Sequence, residues 1–258
     1  MCLQKGDKHA AENYRPVSLT SVPCEILEHI ICKHLLNHLD HHNVITSLNH
    51  GFRSRYSCET QLLVTMHDFM SSYDKGKQVD VPNLDFSKAF DTVPHDKSLH
   101  TLNQYGVRVP IHSWLTSLLT KRKMRVVLEG EKSSKVTVDS GFPQGTVLGP
   151  ILFLCHINDL PDAVKSQVRL FADNCLLYRP INSQKDNDIL QQDLKNLDTW
   201  AENWGMRINE KKCYILSIKQ TISTLFLKWP HIRTSQKQPI LRPSNFRGHE
   251  VINTHQQY

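Results

Sequence analysis

A chain of 258 residues with 39% hydrophobic and 22% charged side chains can bury a sizeable core, which excludes an intrinsically disordered segment and predicts one or two compact subdomains. The formal charge of +6 is compatible with nucleic acid as a partner but does not demand it. Seven cysteines without a C-x-x-C pair exclude a zinc ribbon or a disulfide scaffold and read as reduced thiols of an intracellular protein, in cytoplasm or nucleus. No signal peptide is read at the start, and no apolar run reaches the roughly 18 residues of a membrane span, so no membrane partner is expected.

In chain order, an extended piece over 16–20 leads to a helix with Ser21 as N-cap, Pro23 and Glu25 in its first turn, and an apolar face of Leu27, Ile30, Ile31, Leu35 and Leu39. His38, His41 and His42 cluster at its end, where they cap or solvate it rather than bind metal. A second helix is predicted over 58–73, capped by Ser57, with Leu62, Leu63, Met66, Phe69 and Met70 inward. A strand then ends at Asp85; Pro82 and Asn83 predict that it starts late or lies at an irregular edge. Helices follow over 96–105, stopped by Gly106, and over 111–119, with Trp114, Leu115 and Leu118 inside. The cationic run Lys121, Arg122, Lys123 and Arg125 enters a hairpin of 125–128 and 135–138.

Two glycines and a proline in Ser140-Gly141-Phe142-Pro143-Gln144-Gly145 form a tight loop that lets backbone approach a ligand, and Gln144 there offers both a donor and an acceptor. An apolar helical run over 148–160 comes next, and 168–178 reads as two short strands joined across Ala172, Asp173 and Asn174. Leu190, Leu194, Leu197, Ala201 and Trp204 mark an amphipathic helix closed by Gly205, and 214–218 is the last strand. Three prolines and no hydrophobic period predict a disordered or frame-shifted tail over 220–258.

Asp85 and Asp173 each stand among apolar neighbours at a strand end, where a carboxylate is costly unless compensated. A hard divalent cation is the usual compensation, because Mg²⁺ takes one or two protein carboxylates together with substrate phosphates. Two strand-borne aspartates brought together suit phosphoryl or nucleotidyl transfer.

The motifs Asn13-Tyr14-Arg15-Pro16-Val17-Ser18-Leu19-Thr20, His50-Gly51-Phe52-Arg53, Leu84-Asp85-Phe86-Ser87-Lys88-Ala89-Phe90-Asp91, the stretch 140–159, Phe171-Ala172-Asp173-Asn174 and Trp204-Gly205-Met206-Arg207-Ile208-Asn209 occur in this order. In order and spacing, over roughly 5–218, the chain resembles the reverse transcriptase of non-LTR, LINE- or jockey-like retrotransposons. The resemblance implies an α+β right-hand polymerase: fingers over 1–79, a palm of antiparallel strands packed on helices over 80–219, and no recognisable thumb, as in a truncated piece.

It further implies an RNA-directed DNA polymerase that uses an RNA template, a DNA primer and deoxynucleoside triphosphates. Asp85 and Asp173 match the aspartates that hold two Mg²⁺ ions, with Mn²⁺ as a substitute. Phe90 matches the aromatic that excludes a ribose 2′-hydroxyl, Gln144 and Gly145 the loop lining the nucleotide, and Arg15 a triphosphate contact. The departure is Asn174, where the family has a second aspartate. That loss of charge raises an alternative, a catalytically decayed remnant that keeps the fold and at most binds nucleic acid.

Overall fold

A computed structural model of the chain describes residues 2–3, 7, 13–15, 17–128 and 130–219. The tail expected over 220–258 lies outside the described residues. The first strands, β1 (Cys2–Leu3) and β2 (Tyr14–Arg15), pair antiparallel ahead of helix α1 (Val22–His41). Its buried side is Glu28, Ile31, Cys32, Leu35 and Leu39, whereas Leu27 and Ile30, expected inward, are exposed. The helix is turned by Glu28, whose Oε2 accepts from the amides of Val147 (3.1 Å) and Leu148 (3.4 Å) at the start of a later helix. Those amides have no partner within their own helix, and a carboxylate there also opposes the helix dipole favourably.

Helix α2 (Cys58–Asp74) begins in the expected place, with Ser57 and Thr60 forming a reciprocal capping box. Only part of its expected face lies inward: Phe69 is buried and Met66 packs beside it, but Leu62, Leu63 and Met70 are exposed and Thr65 is buried instead. The reason is polar. Asp68 accepts from Arg169 (2.8 Å) and from the Tyr178 hydroxyl on the sheet below, and Phe69 meets the Tyr178 ring edge-on at 5.2 Å. A charge-assisted pair on the sheet dictates which side of α2 faces down, and the leucines are left outside.

Strand β3 (Gln78–Asp85) is central rather than an irregular edge, which corrects the expectation drawn from Pro82. Its ladder lapses on one side only over 81–82, where Pro82 has no N–H to give, and resumes in the same register. After it come the short α3 (Ala89–Thr92), α4 (His95–Gln104) and α5 (Ile111–Leu119). The hairpin is split into two ladders, β4 (Lys123–Met124) with β7 (Val136–Thr137) and β5 (Val127–Leu128) with β6 (Glu131–Lys132).

Helix α6 (Leu148–His156) ends sooner than the apolar run does, and a turn of 3-10 helix, Leu160–Ala163, follows. Strands β8 (Gln167–Phe171) and β9 (Asn174–Ile181) form the hairpin, α7 (Gln184–Asn203) packs Leu190, Leu194, Leu197 and Ala201 inward, and β10 (Tyr214–Ile218) closes the sheet. The four strands are antiparallel in the order β10-β3-β9-β8. Residues of α1, α4, α5, α6 and α7 share one apolar core with the sheet. Among the described residues no helix is long and apolar enough to cross a membrane.

Candidate active site

Phe171 pairs with Asn174, so Ala172 and Asp173 are the two residues of the β8–β9 turn. Ala172 has φ 52°, the left-handed region that L-residues avoid, and something must hold it there. The segment 48–51 does so by lying along the edge of β8: Leu170 donates to the Leu48 carbonyl at 2.9 Å and His50 donates to the Leu170 carbonyl at 3.1 Å. Between them the buried Asn49 turns its Oδ1 to two amides, Gly51 at 3.0 Å and Ala172 at 3.3 Å. Gly51 comes so close that a Cβ on it would sit 2.5 Å from the Ala172 nitrogen. Sequence reasoning missed Asn49; its only signal was its place beside the His50-Gly51-Phe52-Arg53 motif.

Asp85, the last residue of β3, is the register partner of Asn174, the first residue of β9. Directly opposed residues in an antiparallel ladder lie roughly 4.5–5.5 Å apart at Cα, and Asp173 is the next residue along. The Asp85 carbonyl accepts from Asn209 at 2.8 Å, which brings the turn before β10 under the carboxylate. From that turn Lys212 extends its ammonium to 3.3 Å from each Asp85 oxygen. It donates to Oδ2, while the buried Oδ1 receives no hydrogen bond of adequate angle. Lys212 was the second residue missed, because the sequence search followed carboxylates and not the cations that compensate them.

The donor set fits a hard cation. Asp85 Oδ1 has the Lys212 ammonium beside it but no hydrogen bond, and Asp85, Asp173 and the Asn174 amide can each offer an oxygen to a cation. Among the described residues no cluster of three or more His, Cys, Asp or Glu exists to hold a metal, so substrate and solvent oxygens would complete any coordination. The two nearby thiols do not compete for it. Burial pushes Cys175 up to about 12, and burial also raises Cys213, so both are protonated at neutral pH.

Phe90 on α3 is half-buried, stacked on Phe153 at 4.3 Å and 22°, and met edge-on by the exposed Phe52 at 6.3 Å. The loop 140–145 is laced to α3 behind it: Phe142 donates to the Phe90 carbonyl, Ser140 to the Asp91 carbonyl, and the Gln144 amide to Asp91 Oδ1 at 2.8 Å. The side chain of Gln144 thus has a partner within the protein. Its carbonyl accepts from Ser18 at 2.9 Å, and Gly145, with φ 86°, lies against Val17. Three of the motifs therefore touch one another. Arg15 is in β2, and its side chain lies outside what is described.

Residues 3–240 match the family model described as reverse transcriptase (RNA-dependent DNA polymerase). The chain is 28% identical over 206 residues to the probable RNA-directed DNA polymerase from transposon X-element of Drosophila melanogaster, and 29% identical over 211 residues to the RNA-directed DNA polymerase from mobile element jockey of the same fly. Each match covers 78% of this chain and 23% of the relative, so the chain spans about a quarter of these proteins. The fold is similar to that of apo telomerase from Candida tropicalis, with a TM-score of 0.54 at 11% identity over 76% of this chain and 37% of that one. With its mixed helices and antiparallel sheet, the chain belongs to the reverse transcriptase (RNA-dependent DNA polymerase) family.

Proposed function

We propose that this chain forms the fingers, over 1–79, and the palm, over 80–219, of a polymerase that copies an RNA template by adding deoxynucleotides to a primer 3′-hydroxyl. The observation that carries the reading is the register of Asp85 against Asn174, which leaves Asp173 in the adjoining turn. Asp85 and Asp173 would hold Mg²⁺, two ions in the family's manner, or Mn²⁺ in its place. What the bound ions supply is Lewis-acid activation of the 3′-hydroxyl and neutralisation of charge on the triphosphate.

The chain's own residues do the positioning. Asn49 and Gly51 hold the turn that carries Asp173, and the Asn209 amide fixes the end of β3 below Asp85. Lys212 keeps a positive charge beside Asp85 and orients its carboxylate. Phe90, supported from behind by Phe153, is the candidate wall against a 2′-hydroxyl, and Gln144 and Gly145 shape the nucleotide side of the same pocket. Arg15 is assigned the triphosphate.

Asn174 favours a second reading, a remnant that keeps the fold and binds nucleic acid without extending a primer. An amide opposite Asp85 gives a cation an oxygen but no charge. Primer extension on a homopolymer RNA template, with Mg²⁺ and with Mn²⁺, decides between the two. Extension that disappears in Asp85→Ala and in Asp173→Ala supports the polymerase. A folded chain that binds template and primer but extends with neither ion is the remnant.

A further inference from the structure

We propose that a second, basic cleft at the opposite end of the sheet is a phosphate-binding site. Its volume is about 280 Å³, and it is lined by Lys77, Lys165, Ser166, Arg179, Asn182 and Asp186 among others. Arg179 is five residues along β9 from Asn174, roughly 17 Å at the usual rise per residue, so the cleft is separate from the Asp85 site and does not depend on it.

Charge excludes a cation. Three cationic side chains face one carboxylate, and that carboxylate is already occupied. Asp186 Oδ1 accepts from Arg179 Nε at 3.1 Å, and Oδ2 accepts from the Asn182 amide and from the amide and hydroxyl of Ser183 at 3.1–3.2 Å. These bonds hold the Asp186 carboxyl below its usual range, so it stays ionised and fixes Arg179 in place without seeking a further proton or metal. The ammonium groups of Lys77 and Lys165 have no ion pair among the described residues.

Ser166 points independently to a ligand. It is 8% exposed, and its hydroxyl has no hydrogen-bond partner in the protein. The backbone around it is well held: buried Asp193 accepts from Lys165 N at 2.9 Å and from Ser166 N at 2.8 Å, so the hydroxyl is left unpaired in an otherwise satisfied segment. A buried hydroxyl loses its hydration and gains nothing unless something enters to receive it. The two ammonium groups, the guanidinium and the hydroxyl suit an anion whose oxygens are arranged tetrahedrally, and the oxygens of a phosphate group can each accept from more than one of these donors. Either a nucleic-acid phosphodiester or a free phosphate carries that group.

The test uses the whole 258-residue chain, ¹⁵N-labelled and titrated with inorganic phosphate. Amide signals of 165–167 and 179–182 should shift, and Lys77→Ala/Lys165→Ala should weaken the affinity at least about tenfold. Ser166→Ala should weaken it too while melting no lower than the parent, since its hydroxyl has no partner to lose. Displacement of the phosphate by oligouridylate assigns the site to a nucleic-acid backbone; phosphate that oligouridylate does not displace assigns it to the free anion. Absence of shifts up to tens of millimolar phosphate, or shifts that persist unchanged in both variants, overturns the proposal.

Discussion

Asp85 and Asn174 are partners across the β3–β9 ladder, a carboxylate directly facing an amide beside the turn that carries Asp173. The arrangement spares the resting protein a repulsive pair, since like charges directly opposite in a sheet destabilise it. It also leaves the proposed cation site an amide where a third carboxylate could have stood beside Asp85 and Asp173.

Asn174→Asp tests that trade. A unit charge at 4 Å is worth between about 1 kcal/mol in water and about 4 kcal/mol at an effective dielectric of 20, and exposure of position 174 puts the gain toward the lower figure. Mg²⁺ affinity should rise by about tenfold or more, while the metal-free variant melts lower than the parent. Calorimetric Mg²⁺ titration with parallel melting checks both signs. Unchanged affinity would mean that position 174 does not face the cation.

Gly51→Ala should damage the same turn from the segment that lies along β8. The new methyl would lie 2.5 Å from a backbone nitrogen, which cannot rotate away as a flexible side chain could. Overpacking of this kind costs about 1–3 kcal/mol. Denaturant unfolding should show the loss, and amide exchange at Ala172 should accelerate more than exchange in α7.

Phe90→Val removes the ring that stacks on Phe153. A large-to-small change at a half-buried site should destabilise by about 1–3 kcal/mol. In an extending enzyme it should also raise ribonucleotide incorporation relative to deoxyribonucleotide, measured as a ratio of kcat/KM. A stability loss with an unchanged ratio would make Phe90 a packing residue alone.

His156 predicts an acid-sensitive stability. It is 1% exposed, its Nδ1 lies 3.1 Å from the Ser98 hydroxyl, and its ring meets Trp204 edge-on at 5.0 Å. Burial, assisted by nearby Lys97, lowers its pKa to about 4. The unfolded chain takes up this proton near pH 6.5 and the folded chain only near 4, so stability is full above about 6.5 and falls as pH drops toward 4, by about 3 kcal/mol in all. The lowered Asp68 and Asp186 act in a different window, below about pH 4. Urea unfolding at a series of pH values should show the slope, and His156→Gln should flatten it between about 6.5 and 4.

Periodicity located most elements, and it did best where one apolar face meets one apolar partner. The run Leu190, Leu194, Leu197 and Ala201 is such a case, and α7 buries all four. It was only partly right on α1 and α2, where Ile31, Leu35, Leu39 and Phe69 are buried but the rotation answers to polar groups: Glu28 capping α6 and Asp68 pairing with Arg169. Pro82 misled because a missing N–H matters only on the side where a ladder bond is due, and which neighbours β3 has cannot be read locally.

By itself the sequence determined the order of the motifs, the family to which they belong, and the two aspartates set in apolar surroundings at strand ends. Tertiary structure alone decided what surrounds them. Asn49 reaches Ala172 across 123 positions and Lys212 reaches Asp85 across 127, and the basic cleft gathers residues from before β3, the start of β8 and the end of β9. A lone Asn, Lys or Ser has no periodicity to betray it. Its role comes from which unsatisfied polar group the folded chain brings within hydrogen-bond reach, and that depends on register and docking rather than on neighbours in sequence.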